Sequence, residues 1–409
     1  MNRRIIYPLL IVPLLLGLLG PWSAQGAFVQ CPGDVDMDGV SDDPNIQCIH
    51  LAGADGFARM ADGYSQYMLG FGLVDPSTLE TEVVANYTLK SWCPAPLIVV
   101  KEGHELYLTM TNVGMAVRTD LFDPHSIHWH GFPHAAPIFD GLPEPSPTAV
   151  MGASFTYAYF AAQPGNYFYH CHVEASEHMQ MGMIGPLWVT PAQDDLPNGT
   201  VLAGGFVHHT GYTYAYNDGD GSTYYDVGYP VQLTGFDSNF HDASETIQPL
   251  PFAAMKDNYP MINGRGYPYN INTFDPDAMP ADPNAIVNKE GFISQRYHSL
   301  IQAAAGDKIL LRVSNVSTTD IWAITTTLGV PMKIVGRGAE LLRGETGIDT
   351  SYEVQVLNVG GGQAYDVIVD TAGVEPGTYF LHTTNLNFMC NNQEERGGLI
   401  TEIVISPLI

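Results

Sequence analysis

Basic side chains are scarce in this chain. Its 409 residues carry 16 Lys and Arg against 43 Asp and Glu, a net charge of −27. Phosphate backbones are held by clustered Lys and Arg, so nucleic-acid binding is excluded as a function. Such a balance suits a solvated, exported surface and a basic redox partner. Long apolar runs are also rare. The one that stands out is Ile5 to Leu19, preceded by Arg3 and Arg4 and followed by Ala24-Gln25-Gly26. A charged start, an apolar stretch and a small-residue cleavage site read as an export signal over residues 1–26. The chain is therefore expected to be secreted or periplasmic, with no stable membrane span after cleavage. Long helical periodicity is missing too.

Cysteine is sparse and odd in number: Cys31, Cys48, Cys93, Cys171 and Cys390. Export permits disulfides, and an odd count leaves one cysteine for another task. Cys31–Cys48 is the expected local bridge. Cys93–Cys390 would then tie two domains together. No C-x-x-C pair exists, which weakens a structural zinc reading.

What the chain does have is 45% apolar residues, enough for real cores. They fall in short runs broken by Gly, Pro and Asn. Leu97-Ile98-Val99-Val100, a Lys-Glu-Gly turn and Leu106-Tyr107-Leu108-Thr109-Met110 form one such phrase. It recurs at Ala305-Gly306-Asp307-Lys308 leading into Ile309-Leu310-Leu311-Arg312-Val313. Pro164-Gly165-Asn166-Tyr167-Phe168-Tyr169-His170 returns as Pro376-Gly377-Thr378-Tyr379-Phe380-Leu381-His382. Strands of this length with turn punctuation predict an all-β protein of two sandwich domains. The expected order is an acidic segment over 27–58, a first domain over 59–193, a linker or insertion over 194–222 and a second domain over 223–409. Within the acidic segment, Asp34, Asp36, Asp38 and Asp42 surround Gly39 in a spacing that can converge on calcium. Asn45 stands where an EF-hand would place Glu, so the loop is not a full EF-hand.

Two segments carry metal chemistry. One is His125-Ser126-Ile127-His128-Trp129-His130. The other is His170-Cys171-His172, followed by His178, Met179, Met181 and Met183. Residues two apart on a strand share a face, and neighbours point oppositely. His128 and His130 therefore pair on one side, as do His170 and His172, while Cys171 looks the other way. A thiolate with two imidazoles and a distant thioether is the ligand set of a blue-copper site. Cys171, His125 and His178 supply the strong ligands, and one of the three methionines the weak axial one.

On these motifs the chain resembles the multicopper oxidase and copper nitrite reductase superfamily, built from Greek-key cupredoxin domains. The likeness runs over about residues 60–409 and is strongest over 122–190. H-x-x-H-x-H matches His125, His128 and His130, and H-C-H…H-x-x-x-x-M matches His170, Cys171, His172, His178 and Met183. The resemblance implies Met183 as the axial ligand of a type 1 copper. It also implies a second centre, with His128 on a type 2 copper and His130, His170 and His172 on a type 3 pair. The second domain breaks the pattern. Ile321-Trp322-Ala323-Ile324-Thr325-Thr326 has no histidine, and His382-Thr383-Thr384 has one where two are expected. A nitrite reductase would need histidine at Thr384 and aspartate at His128. Three readings stay open: an oxidase fed by a redox protein or small reductant, an electron carrier with an incomplete second site, and a copper-storage protein. The resemblance also implies a homotrimer, pairing first and second domains of neighbouring chains.

Overall fold

A computed structural model describes residues 30–246, 249–277, 282–344 and 346–408. The expected signal at 1–26 lies outside the described residues. Among them no helix is long and apolar enough to cross a membrane.

The first sandwich has eight strands. They are β1 (Ile46–Arg59), β2 (Ser65–Leu73), β3 (Ile98–Lys101), β4 (Glu105–Gly114), β5 (His128–His130), β6 (Ser154–Phe160), β7 (Gly165–His170) and β8 (Ile184–Thr190). One sheet runs β2-β1-β4-β6, with β1 and β4 parallel. The other runs β3-β8-β7-β5, with β3 and β8 parallel. Leu51, Phe71, Leu108, Trp129, Tyr157 and Leu187 fill the space between them. Burying so many large side chains is what drives two sheets face to face. Helix α1 (Glu80–Tyr87) lays Val83 on the outer face against Ala52, Ala54 and Val113.

The second sandwich repeats this connectivity. Val227–Phe236 runs parallel to Lys308–Asn315, and Ile301–Ala304 parallel to Ile400–Ser406. Gly377–Thr383 joins Ile400–Ser406 to Trp322–Thr326, as β7 joins β8 to β5. Val231, Val313, Trp322, Ile334, Val367 and Ile403 form its core.

Two expectations are corrected. The acidic segment does not run to residue 58: it enters the first sheet at Ile46, and β1 pairs with both β2 and β4. Within residues 194–222, expected as a linker or insertion, Ala215 and Tyr216 pack on Leu310, Val335 and Ile368 of the second domain. Cys93 and Cys390 are both free; only Cys31–Cys48 is bonded. The Cys93 side chain lies instead in an apolar cluster with Met68, Phe168 and Met261.

The domains interlock. The Asn166 amide donates to the carbonyls of Val313 and Tyr365 at 3.0 and 3.1 Å. After the first strand of domain two, helix α2 (Ala175–Gln180) is met by helix α3 (Ser238–Ser244), whose Asp237 cap accepts from Asn239 and Phe240.

Candidate metal centre

The segment from Cys171 to Met183 is closed by its own backbone. The Cys171 N–H donates to the Met183 carbonyl at 3.1 Å, and the Met183 N–H to the His178 carbonyl at 2.9 Å. This folds α2 back so that His178 meets Cys171. The thiol sulfur lies 3.2 Å from His178 Nδ1 and 3.9 Å from His125 Nδ1. His125 comes from the strand entrance before β5, held by reciprocal hydrogen bonds to Ala149. The two rings meet edge to face at 5.0 Å.

Gly53 on β1 makes room for this group. A Cβ there would sit 3.2 Å from His125 Cδ2 and 3.4 Å from Met183 Cε, so both side chains converge on one spot. Met181 is turned elsewhere and accepts from Ser244 Oγ at 3.5 Å, while Met179 packs toward the interdomain cluster. Cys171, His178 and Met183 have no exposed surface, and His125 has almost none.

Burial sets the electrostatics. It pushes the Cys171 thiol up to about 12 and holds His178 near 4, with His125 well below its usual value. A neutral thiol and two neutral imidazoles in a dry pocket await a cation that offsets the cost of a buried thiolate. The donor set of one sulfur and two imidazole nitrogens fits copper.

On the opposite face, β5 and β7 run antiparallel with His128 directly across from His170. Ring nitrogens of His128, His130 and His170 lie within 4.8 Å of one another. The His172 ring is 5.1 Å from that of His128. Carbonyls fix two of these rings: Asp140 O contacts His128 Nδ1 at 2.6 Å and Cys171 O contacts His170 Nδ1 at 2.7 Å. Nε2 is then the nitrogen each ring could offer a metal, an orientation that ligating histidines usually need, and that of His170 lies 3.4 Å from His130 Nδ1. From the second domain, the backbone of Gly362 approaches the edge of His130.

The second domain repeats the frame without the ligands. His382 faces Thr325 as His170 faces His128, and its Nδ1 contacts its neighbour's carbonyl at 2.8 Å. Thr383 occupies the place of Cys171. His208 bonds Tyr214, and His209 bonds Asn198. In the acidic segment Asp34, Asp36 and Asp38 come together, but Asp42 does not join them. Its carboxylate accepts from the Val35 N–H, and both Asp34 oxygens accept backbone N–H groups.

Sequence reasoning missed Asp123 and Glu174, whose carboxylates reach within 4.8 Å of a His178 ring nitrogen. They are 51 positions apart, and no spacing signals their meeting. Burial and the Glu174 charge raise the Asp123 carboxyl above its usual range.

Family models described as multicopper oxidase match residues 77–194 and 241–404, together well over half of the chain. Laccase-3 of Thanatephorus cucumeris is 25% identical over 299 residues, covering 72% of this chain and 42% of that protein. The multicopper oxidase MmcO of Mycobacterium tuberculosis is 33% identical over 91 residues, covering 22% of this chain and 16% of that protein. The chain thus spans less than half the length of these curated relatives. Among solved structures, the blue copper oxidase of Nitrosomonas europaea superposes with a TM-score of 0.60 at 22% identity, covering 88% of this chain and 86% of its own. The multicopper oxidase mgLAC gives 0.59 at 21%, covering 89% and 88%. These likenesses carry the fold, two cupredoxin-like β-sandwiches. The chain belongs to the multicopper oxidase superfamily.

Proposed function

We propose that this chain is an exported copper-dependent oxidoreductase of multicopper oxidase type. Cys171, His125, His178 and Met183 would hold a type 1 copper, the entry point for electrons from a redox protein or small reductant. His128, His130, His170 and His172 would hold a second copper centre at the domain interface. The observation that carries this reading is the alternation at 170–172. Cys171 points to two imidazoles on one face of the strand, and its neighbours His170 and His172 turn to the other. Copper bound there would supply one-electron redox chemistry, with dioxygen the final acceptor. The chain's part is to keep the thiolate dry, to fix the imidazole tautomers through Cys171 O and Asp140 O, and to join the centres through one residue of backbone.

One observation favours a second reading, an electron carrier with an incomplete second site. Thr325, Thr383 and Thr384 stand where the duplicated frame would place ligands. A homotrimer in which His382 of one chain meets the first domain of another would add a ligand. Copper counting, electron paramagnetic resonance and dioxygen uptake with a reducing dye separate the two. A non-blue signal lost in His128→Ala, with slow uptake, supports the oxidase. One blue copper per chain and no uptake leaves the carrier. Calcium at Asp34, Asp36 and Asp38 is tested by a fall in melting temperature on chelation.

A further inference from the structure

The acidic loop over residues 31–48 roofs a cavity that the copper chemistry does not use. The cavity measures about 710 Å3 and lies where β1 and β3 begin, at one end of the first sandwich. Ile49, Leu73, Val74, Leu97 and Ile98 wall it. The roof is tied at its base and at its tip. At the base, the Cys31–Cys48 disulfide lies on the cavity lining. At the tip, Gly39 sits against the turn before α1. A Cβ there would come 3.0 Å from Pro76 O and 3.1 Å from Pro76 Cβ. Gly39 also takes φ 83°, a left-handed conformation that favours glycine. Between base and tip, the Asp34 carboxylate shapes the loop by accepting the N–H groups of Asp38 and Gly39.

Leu79 is 64% exposed and Leu73 40%, so two of the lining leucines face water. A concave, mostly apolar cavity of this size with a few polar groups is the usual form of a small-molecule site. Among the described residues no Phe, Tyr, Trp, Lys or Arg lines it. Its ionisable groups are His50 and the carboxyls of Asp34, Asp75 and Glu80. Two of the acids are already engaged, Asp34 as above and Asp75 by the Ser77 N–H and hydroxyl at 2.8 and 2.6 Å. Among the described residues none of the three forms an ion pair with Lys or Arg. Partial burial raises the Glu80 carboxyl above its usual range, a cost that a neighbouring cation would offset. His50 adds no positive charge to repel one. Burial pulls its pKa down to about 4, and its Nε2 lies 2.7 Å from Thr111 Oγ1.

We propose that this cavity binds a small aliphatic amine, its hydrocarbon body against the walls and its ammonium group at Glu80. The walls select the body, because burying it removes apolar surface from water. The acids select the charge. A carboxylic acid of the same length would fit the walls and then meet three carboxyl groups. An amine with almost no hydrocarbon would satisfy the charge and leave the walls wet. None of the proposed copper ligands lines the cavity, so the site stands apart from the copper reading.

The test is titration calorimetry of the full-length, copper-loaded protein at about 0.15 M salt, where surface charge is screened beyond about 8 Å. The probes are n-octylamine, octanoate and ethylamine. The proteins are the wild type, Glu80→Gln, and the double variant Leu73→Asn, Leu79→Asn. The wild type should show one saturable n-octylamine site per chain, with octanoate and ethylamine at least tenfold weaker. Each variant should bind n-octylamine at least fivefold more weakly at an unchanged melting temperature. The three probes on the wild type decide the matter even where a variant fails to fold. No saturable n-octylamine site, or equal affinity for n-octylamine and octanoate, overturns the proposal. Many amine molecules per chain, bound equally by wild type and variants, would be adsorption to the acidic surface and overturn it too.

Discussion

The backbone N–H of Ser126 points at the Cys171 sulfur from 3.5 Å, while the Ser126 hydroxyl accepts the His172 N–H at 3.2 Å. One residue therefore touches both proposed copper centres. Its amide helps to stabilise a thiolate, and its side chain orients a histidine on the far face. Ser126→Ala keeps the amide and removes the anchor. It should leave the blue band in place and weaken copper binding at the histidine cluster about 10-fold, the lower end for loss of an orienting partner. Copper titration followed by paramagnetic resonance measures both.

Met183→Leu removes a weak sulfur ligand without opening a cavity, because the two side chains have similar volume. Colour should persist, and the reduction potential should rise. A fall in potential on redox titration would place the axial ligand elsewhere, with Met110 the next sulfur, since its Sδ would lie 3.5 Å from a Cβ on Gly53.

His241 fastens the second domain to the copper-site helix. It is fully buried, with Nδ1 2.6 Å from Tyr67 O and Nε2 2.9 Å from Gln180 O. Burial pulls its pKa down to about 4, against both carbonyls, which favour the protonated ring. His241→Ala should cost about 2–4 kcal/mol, the range for losing a buried, bridged side chain. Denaturant unfolding of the copper-free protein checks this.

Asp257 makes the same junction sensitive to pH. It accepts from Gln180 Nε2 at 2.6 Å and from Ser317 Oγ at 3.0 Å. Burial first, then the charge of Asp320, raises its carboxyl to about 7 from 3.8. A raised folded-state value means that the folded protein holds a proton the unfolded chain gives up near pH 4. The stability this confers is present at low pH and lost as pH rises toward 7. Asp257→Asn should thus match the wild type near pH 4 and melt several degrees higher at pH 8. A constant difference across that range would show that the carboxyl does not titrate in this window.

Much of this was readable from spacing. His128 and His130, or His170 and His172, lie two apart on strands, so period-two geometry alone puts them on one face and Cys171 on the other. The start of β1 was not readable, because the strand contains Gly53, Asp55 and Gly56, which weaken the usual strand signature. Gly53 is there to admit His125 and Met183, so the requirement of the site disguises the strand. The three described α-helices are eight residues or shorter, too brief to show a period. Counting cysteines pairs Cys93 with Cys390, yet Cys93 is buried and Cys390 exposed. The meeting of Asp123 with Glu174 depends on how α2 folds back over the sulfur, which no local pattern encodes.

Cys171 is expected to bind copper together with His125 and His178. The direct measurement is the visible absorption of copper-loaded, oxidised protein beside that of Cys171→Ser. The wild type should show an intense blue band and the variant none, with far-ultraviolet circular dichroism the same in both, since the two β-cores do not depend on one thiolate. A colourless wild-type protein, or a band that survives in Cys171→Ser, would contradict it.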